Sequence, residues 1–214
     1  MKSNLFPISS VGFQYIAIAF VAFVFFSILD IGFLALVALV FIAIFVSVFR
    51  NPERELPLFA KGSCVSPVDG KVISIQNIQD SEHNNSYAYK IEIDSTYFDV
   101  GILRIPFDAI LQHIAIEKGT RLATSSPLFK DLNENTELIF RDENANSVLV
   151  QHQLKKSFDC INIDIRKDQN LKQALRYGTM INGVTSIYLP KNFRLNVALG
   201  AELKGSQTLV GYFS

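Results

Sequence analysis

The chain is 214 residues long, with 20 Lys+Arg against 20 Asp+Glu and a formal net charge of +0, so it lacks the basic surplus with which nucleic-acid binders neutralise phosphates. A hydrophobic fraction of 49% against 19% charged residues excludes intrinsic disorder, because that much apolar surface can be buried. Two cysteines, Cys64 and Cys160, without CxxC spacing cannot staple a fold or hold a zinc knuckle, and they read as ordinary thiols of a reducing compartment.

Between Lys2 and Arg50 the only charged residue is Asp30, and ten of the 18 phenylalanines fall in the first fifty positions. Phe13 to Leu29 and Ile31 to Phe49 are two apolar stretches, each close to the roughly 20 helical residues that span a hydrocarbon core. One continuous helix through both would run to about 55 Å and leave a carboxylate mid-membrane. A fold-back near Asp30 and Gly32 instead predicts a transmembrane helical hairpin over residues 1–50. Lys2, Arg50 and Arg54 then share the cytoplasmic face by the positive-inside rule, and residues 51–214 lie on the cytoplasmic side of the inner membrane. A hairpin lying in the membrane plane is the alternative reading. A cleaved signal peptide fits less well, because its short apolar region is not followed directly by a second one.

From Pro52 onward the chain reads as a β-rich domain of about 160 residues, enough for its own core. Short alternating or β-branched runs bounded by turn residues occur at Lys71 to Ile75, Tyr87 to Ile93, Val100 to Ile105, Ser147 to Gln151, Cys160 to Ile165, Ser186 to Leu189, Leu195 to Leu199 and Thr208 to Tyr212. Asn170 to Tyr177 predicts a helical turn or two, stopped by Gly178. Ser66 to Val72 and Leu199 to Gly205 read as tight turns between strands, with Lys204 as turn chemistry. The expected class is mainly β, a compact barrel or sandwich. His83 reads as solvated, and His113 and His152 as hydrogen-bonded residues with general-base use as the alternative.

Six stretches then occur in a telling order. Phe49-Arg50-Asn51-Pro52-Glu53-Arg54 ends the apolar segment, followed by Val65-Ser66-Pro67-Val68-Asp69-Gly70-Lys71-Val72 and Phe98-Asp99-Val100-Gly101-Ile102-Leu103-Arg104-Ile105-Pro106. Asn133-Glu134-Asn135, Arg176-Tyr177-Gly178-Thr179-Met180-Ile181 and the closing Leu199 to Gly211 complete the series. Together these motifs resemble the short, membrane-anchored form of phosphatidylserine decarboxylase over nearly the whole chain. The resemblance implies the conversion of phosphatidylserine to phosphatidylethanolamine and CO₂, which needs an electron sink that no ordinary side chain supplies. In that family the sink is a pyruvoyl group made when a serine hydroxyl attacks the preceding Gly-Ser bond, assisted by an Asp and a His in the manner of a base and its orienter.

By that resemblance Asp69 is the catalytic Asp, with a backbone-capping turn residue as the alternative. Asp99 and Arg104 lie in the loop that faces substrate, Arg104 as a cation for phosphate or carboxylate or as a surface residue in an ion pair. The chain departs from the pattern at two places. Gly101 stands where the family has His, and the cleaved pair aligns with Gly183-Val184 or with Asn182-Gly183 according to whether Gly178 or Pro190 is the anchor. Neither register offers a hydroxyl, while Thr185 and Ser186 are near but shifted, and Thr would give an oxobutanoyl group. The expectation is a decarboxylase-related protein of phospholipid metabolism that stays uncleaved, has no pyruvoyl group and no metal, and binds aminophospholipid. Its expected partners are membrane phospholipid and a second copy or an active paralogue, with no nucleic acid. An active enzyme with atypical processing and a non-enzymatic membrane adaptor are the rival expectations.

Overall fold

A computed structural model describes residues 7–60, 62–78 and 87–214; Lys2 and His83 with its Asp80 to Ser86 loop lie outside the described residues. The chain divides into two compact units, Met1–Glu53 and Arg54–Ser214. In the first, α1 (Gly12–Ile28) and α2 (Gly32–Val48) are joined by a turn at Asp30, whose φ of 55° is a left-handed conformation that Asp tolerates. At the open end Tyr15 stacks on Phe49 with centroids 5.2 Å apart, and the Ser9 N–H donates to the Phe49 carbonyl at 2.9 Å. Phe20, Val21, Phe25, Phe33 and Leu36 are exposed on the helices' outer faces.

Each helix has 17 residues, which at about 1.5 Å per residue gives about 26 Å, short of a hydrocarbon core of about 30 Å. Among the described residues no helix is long and apolar enough to cross a membrane. The transmembrane crossing expected of residues 1–50 is therefore not supported. The apolar stretches themselves, Phe13 to Leu29 and Ile31 to Phe49, sit near the lower limit of about 17 residues for a span, so even wholly helical they leave no margin.

The second unit is mainly β. Its strands are β1 (Ser63–Val65), β2 (Gly70–Asn77), β3 (Tyr89–Ser95), β4 (Ile102–Arg104), β5 (Ala109–Glu117), β6 (Asn135–Arg141), β7 (Ser147–Leu154), β8 (Asn162–Ile163), β9 (Asn170–Leu171), β10 (Arg176–Thr179), β11 (Gly183–Leu189), β12 (Phe193–Leu195), β13 (Glu202–Leu203) and β14 (Leu209–Phe213), with a single helical turn, α3 (Phe129–Leu132), before β6. Eight strands form one sheet in the order β13-β2-β3-β11-β7-β6-β5-β9, and two three-stranded sheets run β1-β14-β12 and β4-β10-β8. The large sheet does not close, since β13 and β9 are its edges. The barrel half of the expectation thus gives way to packed, sandwich-like sheets. Ile91, Ile93, Leu111 and Ile187 of the large sheet share one core with Leu103 of β4, Tyr177 of β10 and Val210 of β14.

Several local expectations change, among them the strand expected at Leu195 to Leu199, where β12 already ends at Leu195. The helical turns expected at Asn170 to Tyr177 are strands β9 and β10 around a bend. Ala174 has φ 66° and donates its N–H to the Ile105 carbonyl at 2.9 Å, and the Gln173 N–H goes to Asp108 at 2.7 Å, so the amides a helix would use locally are drawn to neighbouring segments. Strand β5 escaped the periodicity because a bulge between Leu111 and His113 shifts its alternation by one residue. Strand β11 begins at Gly183 rather than Ser186, and it lies between β3 and β7 in the middle of the sheet.

Candidate functional site

The pairing register gathers the singled-out residues at one end of the large sheet. Strand β2 starts beside the end of β3, with Lys71 opposite Asp94, and β11 starts where β3 and β7 end, with Gly183 opposite both Ser95 and Leu154. The turn carrying Asp69 is held by its own hydroxyl, Ser66 Oγ donating to the Val68 carbonyl at 2.6 Å. Gly70 follows with φ 151°, and a Cβ there would collide with the Asp94 carbonyl oxygen, so the close approach of turn to strand requires glycine. Ser95 Oγ donates to the Asp69 carbonyl at 2.5 Å. Asp69 is thereby linked through Ser95 to Gly183.

The Asp69 carboxylate is engaged on both oxygens within the fold. Arg54 grips it with two nitrogens, Nη1 to Oδ1 at 2.5 Å and Nη2 to Oδ2 at 2.6 Å, and the Gly205 N–H donates to Oδ1 at 2.8 Å. Arg54 Nη1 also donates to the Gly205 carbonyl at 2.9 Å. Both side chains are nearly buried, at 9% and 11% exposure. This fork-to-fork pairing is the strong, directional form of a charge-assisted hydrogen bond. It clasps three distant parts of the chain: the segment that opens the β unit, the turn before β2 and the turn before β14. Arg54 was read from the sequence only as a cytoplasmic charge, and its role as partner of Asp69 had no signal beyond its place in the Arg-Asn-Pro-Glu-Arg stretch.

Ser206, next to the clasp, is fully buried with φ 67°, at the third position of a turn closed by the Gln207 N–H donating to the Lys204 carbonyl at 3.0 Å. Glycine or asparagine is usual there. The Ser206 hydroxyl has no hydrogen-bond partner among the described residues. Ser206→Gly is expected to raise stability by about 1 kcal/mol, since relief of the left-handed strain and of a buried unpaired hydroxyl outweighs glycine's greater chain entropy. A thermal midpoint that falls on this substitution would show that the strain estimate has the wrong sign.

Gly101 packs directly on the stretch before the predicted cleavage position. A Cβ at residue 101 would lie 2.9 Å from the Met180 carbonyl oxygen and 3.1 Å from Ile181 Cγ1, so an imidazole is missing there and has no room either. Asn182 has φ 60°, which asparagine accepts, and its side-chain amide donates to the Lys156 carbonyl while its own carbonyl takes the Lys155 N–H at 3.0 Å. A Cβ on Gly183 would meet Met180 Sδ and would lie 2.8 Å from the Gln153 carbonyl oxygen. Val184 is buried within β11.

The loop residues carried over with Gly101 have local partners. The Asp99 carboxylate accepts the Thr96 N–H and the Thr96 hydroxyl, both at 2.8 Å, which closes a short turn. Arg104 is buried rather than on the surface, and its Nη1 donates to the Ala174 carbonyl at 3.4 Å. His113 is exposed on β5. A cavity of about 530 Å³ opens at the opposite end of β6, near Asp108, Arg141 and Lys172, and none of the singled-out residues lines it.

A buried polar chain runs through the core instead. His152 on β7 sits directly across from Thr185 on β11, its Nδ1 2.9 Å from the Thr185 hydroxyl and its Nε2 2.5 Å from the Tyr177 hydroxyl. All three are fully buried. Burial pushes the His152 imidazole down to about 3 and raises the Tyr177 phenol, so both are neutral. A neutral imidazole has one ring N–H to donate and one nitrogen to accept, which matches the two hydroxyls. Burial also pushes the Cys64 thiol up to about 12, leaving an inert core residue, and both cysteines are free. Among the described residues no group of three His, Cys, Asp or Glu side chains is placed to hold a metal ion.

Against known proteins, the sequence profile of the family described as phosphatidylserine decarboxylase matches residues 41–211. The phosphatidylserine decarboxylase proenzyme of Geotalea uraniireducens (strain Rf4) is 28% identical over 212 residues, 99% of this chain and 99% of that protein. The proenzyme of Syntrophus aciditrophicus (strain SB) is 27% identical over 169 residues, 77% of this chain and 78% of its own length. That of Nitrosomonas europaea is 27% identical over 177 residues, covering 80% of each.

Proposed function

The chain belongs to the phosphatidylserine decarboxylase family, and on that premise we propose that it acts in phospholipid metabolism as an uncleaved member that binds aminophospholipid head groups without decarboxylating them. One observation carries the reading. At the turn where the resemblance places the self-cleaving Gly-Ser bond stand Asn182, Gly183 and Val184, without a hydroxyl, and Gly183 is walled by Met180 and Gln153 so closely that no side chain fits. The residues present do not fit a self-derived pyruvoyl group, which needs a hydroxyl that Asn182, Gly183 and Val184 lack. The filled space at Gly101 and the closed Arg54–Asp69 clasp support the same reading.

For the head group the resemblance offers Arg104, its fork suited to a phosphate or carboxylate; it lies buried with Nη1 on the Ala174 carbonyl, so a head group has to open that contact to reach it. The first unit is the anchor: two apolar helices turned at Asp30 enter the bilayer as a shallow hairpin without a full crossing. This leaves the β unit on the cytoplasmic side. A second copy or an active paralogue is the expected protein partner.

Intact-mass measurement tests the central claim. A single chain of 24.0 kDa is expected, and Gly183→Ser is expected to stay uncleaved and to lose stability, because its Cβ collides. Two fragments with a keto-blocked new start would refute the reading. Soluble short-chain phosphatidylserine should bind the full chain and bind more weakly to Arg104→Ala; no binding to either would remove the head-group role.

A second reading is favoured by one contact, the Thr185 hydroxyl on His152. Cleavage before Thr185 would leave an oxobutanoyl start, and the same mass measurement reads it. Against it stands the position of Thr185, fully buried in mid-strand with β3 and β7 paired on either side.

A further inference from the structure

Three segments surround the Asn182 turn at the end of the large sheet: Thr96 to Asp99 after β3, Arg121 to Leu132 before β6, and Lys155 to Phe158 after β7. Hydrogen bonds join them into one surface. The Tyr97 hydroxyl donates to the Lys156 carbonyl at 2.6 Å, Arg121 Nη1 to the Ser157 carbonyl at 3.1 Å, and Gln153 Nε2 to the Lys130 carbonyl at 2.9 Å. The Tyr97 and Phe158 rings stack with centroids 5.8 Å apart and planes 6° from parallel.

On this surface Phe98 is 87% exposed, Leu128 50%, Leu132 47% and Phe158 40%. Large apolar side chains grouped on one rim mark an interaction surface, whereas single exposed ones do not. The charges around them are unequal in availability. Asp94 and Glu134 are held by Lys155 and Lys118, and the Asp99 carboxylate is used within its own turn, leaving Asp131 as the exposed acid of α3. Lys130 and Lys156 are exposed and have no ion pair among the described residues.

We infer that this rim docks on the surface of an anionic phospholipid bilayer. Phe98, Leu128, Leu132 and Phe158 enter the boundary between head groups and acyl chains, and Lys130 and Lys156 meet lipid phosphates. Aromatic and aliphatic tips between lysines are the composition that suits such an interface, where apolar stems are buried and cations stay with the head groups. The inference rests on the aminophospholipid reading above, since a protein that binds lipid head groups has to meet them at the bilayer surface.

The chain contains no tryptophan, so Phe98→Trp places a sole reporter on the rim, and Ile110→Trp places one on β5, opposite Arg141 at the far end of β6. Full-length protein is reconstituted with phosphatidylcholine–phosphatidylglycerol vesicles bearing brominated acyl chains. Position 98 is expected to shift to the blue, to be quenched by the bromine and to lose its quenching by aqueous iodide. Position 110 should stay open to iodide. Lys130→Glu with Lys156→Glu, or high salt, should return position 98 to water. Iodide reaching position 98 as freely with vesicles as without them would overturn the inference and leave the rim to a protein partner. Equal shielding at both positions would overturn it too, as aggregation. Retained binding of soluble phosphatidylserine in either case would show that the rim proposal alone had failed.

Discussion

Arg54→Ala is expected to destabilise the β unit by about 3–5 kcal/mol, because it leaves the Asp69 carboxylate buried without its counter-ion. For a unit of this size that corresponds to a fall in thermal midpoint on the order of 10 °C. Asp69→Asn should cost a similar amount by leaving the guanidinium unmatched. Arg54→Lys should recover little, since a point charge cannot reproduce two parallel bonds to Asp69 and a third to Gly205. Replacing both partners by leucine should be far milder than the sum of the single changes, as buried ion pairs commonly give little net stability while their halves are costly. The pattern separates two roles for Asp69. A residue kept for proton transfer would tolerate Asn with little loss of stability. A midpoint unchanged in Arg54→Ala would show that the clasp holds nothing together.

Lowering the pH is expected to unfold the β unit through His152. Its imidazole is held near 3 when folded, against about 6.5 in an unfolded chain. Between those values the unfolded chain takes up a proton that the folded protein refuses, so stability falls as pH drops through that window. The contribution is complete above about 6.5 and is lost by about 3, a change on the order of a few kcal/mol. His152→Gln should abolish that part of the acid sensitivity, because an amide can still donate to one hydroxyl and accept from the other without titrating. Melting midpoints measured from about pH 7 to about pH 4 check it. Parallel decline of the wild-type and His152→Gln proteins would assign acid sensitivity elsewhere.

Much of the candidate site was legible as an absence. The lack of a hydroxyl at residues 182–184 and the lack of an imidazole at residue 101 follow from residue identity, and no packing can supply either atom. The sequence could not tell that both positions are also too crowded to regain them, since the atoms that crowd Gly101 and Gly183 come from Met180, Ile181 and Gln153, brought there by strand register. Asp69 shows the same division. Its place before a glycine predicted a turn, and the turn is there, but its carboxylate partners Arg54 and Gly205 lie 15 and 136 residues away along the chain.

By itself the sequence determined the apolar first fifty residues with their break at Asp30, the β class of the remainder and the absence of a hydroxyl at residues 182–184, because each follows from local composition or from which atoms a side chain contains. Only the tertiary structure decided that the hairpin helices stop at 17 residues each, that Asp69 is clasped, and that His152, Thr185 and Tyr177 form one buried chain. Those outcomes depend on which distant residues share a strand register and on how many residues a turn takes from a helix. Neither quantity is carried by periodicity along the chain.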